Sequence, residues 1–313
     1  MARLILWRIA SAIPVMLIVA TIVFVLLRLS PGDPAAILAG DSAGPEVIAR
    51  VRAELGLDRS ISVQYLTWIG ELARGHLGAS IMSKQPVIKE IKARLEPTLV
   101  LAFAAMLLTI LIAVPLGAIA AWRHNSWIDR AVMALSVVGF SVPVFMTGYI
   151  FILCFSIWAD ILPVQGYVSP FSAPILAARH LVLPALSLAL LFIALIARVT
   201  RSSVLEILGE DFVRTARAKG ARNGRILWRH ALPNAAVPII TVIGLGIALL
   251  ISGVVVTESV FNIPGVGRLT IDSILGRDYP VVQGLIMFFA MIYIGVNLLI
   301  DIACALVDPR VRV

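Results

Sequence analysis

Glu210-Asp211-Phe212-Val213-Arg214-Thr215-Ala216-Arg217-Ala218-Lys219-Gly220 is an island of charge set between two long apolar stretches. Acids stand at its front, bases at its back, and a glycine closes it. That order complements a helix dipole and supplies a left-handed C-cap, so the spacing predicts a short helix from Asp211 to Gly220. A second helix is expected to start near Asn223, as its cap, and to run through Ile226, Leu227 and Trp228 towards Pro233. Helix, glycine turn and helix make a compact knob. Charge alone is equally consistent with an ordinary basic loop that fixes topology.

The surroundings of this island decide the fold. The chain has 313 residues, 60% of them hydrophobic and 14% charged, with mean hydropathy +0.99. Soluble domains have about 45–50% apolar and about 25% charged residues. Six uncharged runs stand out: Ile9 to Leu27, Thr98 to Ala121, Ala131 to Ile157, Leu181 to Ala197, Ala235 to Thr257 and Val281 to Ile300. About 20 such residues cross a hydrocarbon core, and a charge in mid-helix costs roughly 2.5–3.5 kcal/mol, so each run qualifies as a span. The first run is too long for a signal-peptide core of about 7–15 residues and lacks a small-x-small cleavage site, so it is expected to stay as a true span.

Arginine and lysine set the orientation. With the N-terminus inside, short inner segments hold Arg3, Arg8, Arg123, Arg130, eight bases from Arg198 to Arg229, Arg310 and Arg312, whereas the short outer loops hold only Arg179, Arg268 and Arg277. The positive-inside rule then gives N-in and C-in. The expected organisation is a first span over residues 1–29, an extracytoplasmic segment over 30–97, and a five-helix core over 98–313 that carries the inner loop 198–234. The formal charge of +8 is thereby explained by topology, without nucleic acid as a partner. Within the outer segment, Gly56-Leu57-Asp58 followed by Gln64, Tyr65, Trp68, Ile69 and Leu72 predicts an amphipathic helix ending near Gly75 that packs on the outer membrane face. Another helix is expected from Val87 to Leu95, with Pro97 marking the start of the second span.

Several chemistries lack the residues they need. No ionisable side chain falls at mid-span; Arg28, Arg198, Glu258 and Asp301 stand at span ends, where snorkelling or an interfacial partner accounts for them. An ion-coupled secondary transporter would commonly need a carboxylate relay or a broken helix at the midplane, and the carboxylate part of that signature is missing. The four histidines are scattered, so Ser141 has no base to activate it as a nucleophile, and no catalytic or metal-ligating residue is assigned. The two cysteines, Cys154 and Cys304, are too few for a disulfide framework. None of the four lysines follows the glycine of a phosphate-cradling loop, so the chain is expected to bind no cofactor of its own and any nucleotide energy must come from another polypeptide. The spans do carry small residues and prolines. Most are explained by helix packing, and Ser141, Pro143, Gly244 and Gly246 are candidates to line a pathway.

The inner loop resembles the conserved loop of permease subunits in ATP-binding-cassette importers, whose pattern is Glu-Ala-Ala, three residues, Gly, nine residues, Ile-x-Leu-Pro. Here Arg214-Thr215-Ala216 occupy the triplet, Gly220 the glycine and His230-Ala231-Leu232-Pro233 the end, with Arg214 replacing the acid and His230 the isoleucine. Nearly the whole chain resembles the dipeptide, oligopeptide and nickel branch. The likeness rests on Gly56-Leu57-Asp58 with Gln64-Tyr65, Gly78-x-Ser80, Arg94-Leu95, Thr98-Leu99, Pro115-Leu116-Gly117, Thr200-Arg201-Ser202-Ser203 and Arg214 to Gly220. It continues through Arg229-His230-Ala231-Leu232, Phe261 to Gly267, Arg277-Asp278-Tyr279-Pro280 and Asp308-Pro309-Arg310.

The resemblance implies an all-α polytopic membrane protein with the MetI-like fold of type I importer permeases, multi-pass in a bacterial inner membrane and surrounded by lipid. It implies four partners: a second permease, two ATPase subunits holding ATP and Mg, and an extracytoplasmic solute-binding protein. Asp211, Arg214, Thr215, Ala216, Arg217, Ala218, Lys219 and Gly220 would form the element that couples to an ATPase. Di- or oligopeptides are the implied cargo, with nickel or another solute as the alternative. On the outer side, Asn262, Pro264, Gly265, Arg277 and Asp278 are candidate contacts for the binding protein; the alternative for Pro264 to Gly267 is a re-entrant cap supporting the fifth span.

Overall fold

The computed structural model describes residues 2–29, 34–39, 43–54 and 56–307. Asp308, Pro309 and Arg310 of the last motif, and Arg312 among the inner bases, lie outside the described residues. In chain order the helices are α1 (Ala2–Leu29), α2 (Pro34–Ala39), α3 (Pro45–Glu54), α4 (Ile61–Ala73), α5 (Val87–Trp122), α6 (Trp127–Ser141), α7 (Val144–Phe151), α8 (Pro174–Leu208), α9 (Asp211–Ala218), α10 (Asn223–Arg225), α11 (Leu232–Asn234), α12 (Ala236–Val260), α13 (Val266–Leu275) and α14 (Tyr279–Val307). Two π-helical segments, Ile152–Trp158 and Ile226–Ala231, follow α7 and α10. Among the described residues there is no strand, only an isolated bridge between Ala79 and Pro86.

Among the described residues, four of the six expected spans lie in single helices long and apolar enough to cross a membrane; the fifth, Ala235 to Thr257, falls on α12, which is bent by 63° from the preceding Asn223–Asn234. The four straight ones lie in α1, α5, α8 and α14. The expected third span, Ala131 to Ile157, is a bent pair, turning by 103° between α6 and the segment Val144–Trp158. Pro143 causes the turn: its ring forces the preceding residue out of the helical region, and Val142 accordingly sits at φ −88°, ψ 125°. At Pro97 the outcome is the opposite. α5 runs without interruption from Val87 through Pro97 and Pro115, so the expected separate helix over Val87 to Leu95 is the first part of a single one. A proline removes one donor, and packing neighbours can carry that loss in an apolar medium.

The chain forms two compact units, one of residues 97–267 with the segment from Gly295 onward, the other of residues 2–96 and 268–294. In the first, α8 is the central helix: 67% of its apolar stretch is buried, against 11–28% for the other straight spans. Leu188, Phe192 and Ile196 repeat on one face and pack with Leu101, Ala105, Val254 and Phe261. Glycines let the neighbours come close. A Cβ at Gly117 of α5 would lie 2.5 Å from the Ala197 carbonyl oxygen and 2.7 Å from Thr200 Cβ, and one at Gly139 of α6 would lie 3.1 Å from the Leu190 carbonyl oxygen.

At the end of α12 in the same unit, Glu258 is fully buried. The sequence placed it at a span end with snorkelling or an interfacial partner; its partner is inside the chain. Thr98 Oγ1 donates to its Oε1 at 2.6 Å and accepts from the Val266 amide at 2.8 Å, while the Ile263 amide donates to the Glu258 carbonyl at 2.8 Å. The Asn262 to Gly267 turn thus folds over the carboxylate, and a Cβ at Gly265 would overlap that carboxylate. A buried carboxyl needs such donors, because an unsatisfied one costs about 1–3 kcal/mol or more.

The second unit ties α1 to α4. The hydroxyls of Thr21 and Tyr65 are 2.7 Å apart, and the rings of Tyr65 and Trp68 lie 5.3 and 5.8 Å from that of Phe24. Gln64 Nε2 donates to the Leu57 and Arg59 carbonyls, closing the turn in which Gly56 adopts φ +64°. Elsewhere in this unit, buried Asp278 accepts from Ser80 Oγ and from the amides of Ile81 and Met82.

Gly265→Ala is expected to destabilise the purified protein by about 1–3 kcal/mol through overpacking, read as a lower apparent melting temperature. Gly70→Ala, in the last turn of α4 with open space at its Cβ, should leave that temperature equal or slightly higher.

Candidate coupling site

The loop between α8 and α12 carries the one cluster of residues that the sequence singled out for mechanism. α9 starts after Glu210, which is extended at φ −70°, ψ 149°, and has Asp211 in its first turn and Arg217 in its last, so both termini are electrostatically complemented. It ends in a Schellman arrangement: the Ala221 amide donates to the Ala216 carbonyl at 3.1 Å and the Gly220 amide to the Arg217 carbonyl at 2.9 Å, with Gly220 at φ +81°. Any side chain at 220 would be strained there.

α9 presents two faces. Val213 is fully buried and Ala216 half-buried, whereas Asp211, Arg214, Thr215, Arg217, Ala218, Lys219 and Gly220 are exposed. Arg214 pairs with Asp211 at 3.3 Å on the surface, which contributes roughly 0–1 kcal/mol. Thr215 Oγ1 donates back to the Asp211 carbonyl at 3.0 Å. The Arg217 guanidinium lies 5.7 Å from the centroid of the Trp122 ring, joining α9 to the end of α5. Phe212 and Trp228, 42% and 46% exposed, add apolar surface to the knob.

Beneath it, Ala118, Ala121, Val204, Leu227, Ala231, Ala235 and Ile239 form a separate small apolar cluster. Four alanines at this junction let α5, α8 and α12 approach closely, so the knob rests on packed side chains rather than on a loose tether. The second part of the knob departs from expectation. Arg222, not Asn223, holds the N-cap position, and Asn223 is already helical. A single helix does not follow; α10 leads into the π-helical Ile226–Ala231, then α11, and the path bends by 63° into α12. Pro233 lacks the amide that would continue the α-helical ladder, and the wider π turn accommodates that gap.

The other candidates separate by position. Ser141 and Pro143 are exposed at the elbow between α6 and α7, and the Ser141 hydroxyl donates to the Val137 carbonyl at 2.8 Å. Gly244 and Gly246, candidates to line a pathway, are instead buried in helix packing: a Cβ at Gly244 would overlap Ile300, and one at Gly246 would lie 3.4 Å from Met106 and Phe192. On the turns, Asn262, Pro264 and Arg277 are exposed, while Gly265 and Asp278 are buried and hold their turns in place.

Sequence reasoning missed one group. Arg201 of α8 donates through Nε and Nη2 to both carboxylate oxygens of Asp129 in the first turn of α6, the Nη2 bond being 2.7 Å. Asp129 also accepts from the Asn125 amide at 3.0 Å, and His124 Nδ1 lies 3.3 Å from it. In the sequence Arg201 reads only as one of the inner bases and as part of Thr200-Arg201-Ser202-Ser203. The available signal for Asp129 was Ser126-Trp127-Ile128-Asp129, a helix-start pattern, and Ser126 does cap α6.

Comparison with known proteins supplies the context. Residues 113–313 match the family model described as binding-protein-dependent transport system inner membrane component, and residues 1–102 match the N-terminal model of the same kind of transport system membrane component. The chain is 47% identical over 308 residues to a Sinorhizobium fredii protein named "Probable peptide ABC transporter permease protein", covering 98% of each. It is 40% identical to the glutathione transport system permease protein of Salmonella choleraesuis, covering 100% of this chain and 99% of that one. Among solved structures, an inward-facing form of the MetNI methionine ABC transporter contains a chain that matches with TM-score 0.59 at 17% identity, over 71% of this chain and 97% of that one, which establishes the MetI-like fold. The relatives are permease subunits, not enzymes, and the family works with ATPase and binding-protein partners. A helical chain with an exposed knob on a packed base, matched end to end by these permeases, belongs to the binding-protein-dependent transport system inner membrane components and is a multi-pass permease subunit of an ATP-driven importer.

Proposed function

We propose that this permease forms half of a pathway for di- or oligopeptides. A second permease completes the wall, two ATPase subunits bind ATP and Mg beneath it, and an extracytoplasmic binding protein delivers cargo. Peptide cargo is supported by the name of the Sinorhizobium fredii relative and by that of the glutathione permease, glutathione being itself a small peptide. The observation that carries the coupling assignment is α9: a helix with one buried anchor, Val213, an exposed opposite face and a fixed glycine end. A rigid protrusion of this kind fits a groove on an ATPase and converts closure of two ATPases into rotation of the spans. Nucleotide supplies the driving free energy by binding unequally to the two states.

Residues 30–97 are assigned to the extracytoplasmic side and the loop 198–234 to the cytoplasmic side. Ser141 and Pro143 at the α6–α7 elbow are the proposed pathway residues. Exposed Asn262, Pro264 and Arg277 are the proposed contacts for the binding protein, with Gly265 and Asp278 shaping the turns that present them.

Three outcomes test this reading. The chain reconstituted alone in liposomes should take up no peptide under a proton or sodium gradient, whereas the full assembly with ATP and binding protein should; gradient-driven uptake by the chain alone would establish a secondary transporter instead. Gly220→Pro should insert normally yet fail to co-purify with the ATPase and fail in uptake. Arg217→Glu should weaken ATPase association less, and in a salt-dependent manner, because a rim charge tunes association more than it holds a complex.

A further inference from the structure

We infer that Asp129 and Arg201 form a transmission clasp that makes α6, α8 and α9 move as one body, so that displacement of the knob reaches the Ser141–Pro143 elbow. This rests on the proposed coupling role of α9. α8 ends at Leu208 and α9 begins at Asp211, so Arg201 stands on the last turns of the helix that carries the knob. Asp129 is in the first turn of α6, the helix whose other end is the elbow.

The clasp is built for rigidity. Two parallel hydrogen bonds join a guanidinium to both oxygens of one carboxylate, a geometry that fixes orientation as well as distance. Asp129 is 3% exposed and Arg201 21%, so water and salt screen the pair little. His124 Nδ1 closes the group, 3.1 Å from Arg201 Nη2 and 3.3 Å from Asp129 Oδ2, and the Asn125 amide at 3.0 Å anchors the carboxylate to the turn before α6.

A single joint would permit pivoting, but α6 and α8 touch at a second place. Gly139, two residues from Ser141, faces α8 so closely that an added Cβ would lie 3.1 Å from the Leu190 carbonyl oxygen and 3.3 Å from Ala194 Cβ. One joint lies at the start of α6 and the other beside the elbow. Two separated joints between the same helices prevent both sliding and rotation. Arg217 over the Trp122 ring and Gly117 against Ala197 attach the end of α5 to the same body. Asp129 and Arg201 are therefore positioning residues, acting on cargo only through the elbow.

The test measures a distance and a ratio in the assembled transporter. Spin labels at Phe140→Cys and Glu210→Cys, in a background with Cys154 and Cys304 replaced by serine, report the separation of elbow and knob. That separation should stay constant between nucleotide-free and ATP-bound states, and Asp129→Asn should broaden it and make it nucleotide-dependent. In the same variant the ATP hydrolysed per peptide taken up should rise about tenfold, within the range that coupling mutations span. Arg201→Gln should act alike, the double variant should be no worse than either single one, and Asp129→Glu should restore part of the ratio. A wild-type ratio in assembled Asp129→Asn, additive single effects, or an elbow-to-knob distance that changes in the wild type would overturn the clasp. If Asp129→Asn does not assemble, the wild-type distance alone decides. Failure of the coupling role itself would show differently, as a label at Glu210→Cys that lies far from the ATPase in both nucleotide states.

Discussion

Hydrocarbon offers no partner to a backbone amide or a charge, and that constraint shapes the irregular features of this permease's spans. A straight helix satisfies its own backbone; any bend or ionised side chain must find partners within the protein. The Pro143 elbow, the π-helical turns and the buried Glu258 all sit where packing or side-chain donors supply such partners. Regular helices fill the remaining depth. The irregular places are also the ones with mechanistic meaning, because a transporter needs local shapes that a ladder of i to i−4 bonds does not provide.

The knob illustrates how little of its own energy such an element requires. α9 is too short to be stable alone, since isolated helices below about 12–15 residues are marginal in water. Its order comes from the Schellman end at Gly220, from Val213 beneath it, and from the alanine-rich cluster that joins α5, α8 and α12. Apart from Arg217, which lies over the Trp122 ring, the exposed face is left free of structural duties. Its surface ion pair contributes little, so its charges are available for association rather than for folding.

Charges deeper in the chain play the opposite part. The Asp129–Arg201 pair and the Glu258–Thr98 contact are enclosed, and breaking either would leave an uncompensated polar group. Their value is conformational specificity: each fixes one helix end against a segment distant in sequence. One fixes the base of the elbow helix to the knob-bearing helix, and the other fixes the glycine-rich turn after α12. A permease that rotates as rigid pieces requires such pins at the joints and smooth glycine contacts between them.

Local pattern in the sequence was enough to determine the apolar runs and the knob helix, because span length and a charge-ordered segment ending in Gly220 are properties of neighbouring residues; the distribution of arginine and lysine likewise sets the expected orientation. Motif order along the whole chain carried the family. Contacts between distant segments were decided only by the tertiary structure. Proline illustrates the limit: Pro97 lies inside a continuous helix while Pro143 turns its span by 103°, and the difference depends on what packs around each ring. The same holds for Gly244 and Gly246, whose packing against Ile300 and Phe192 no local pattern announces, and for Asp129, a helix-start acid in sequence whose partner lies 72 positions away. Sequence records which side chains are present; three-dimensional packing alone decides which of them face one another, because those contacts are set by the mutual fit of helices rather than by any local preference.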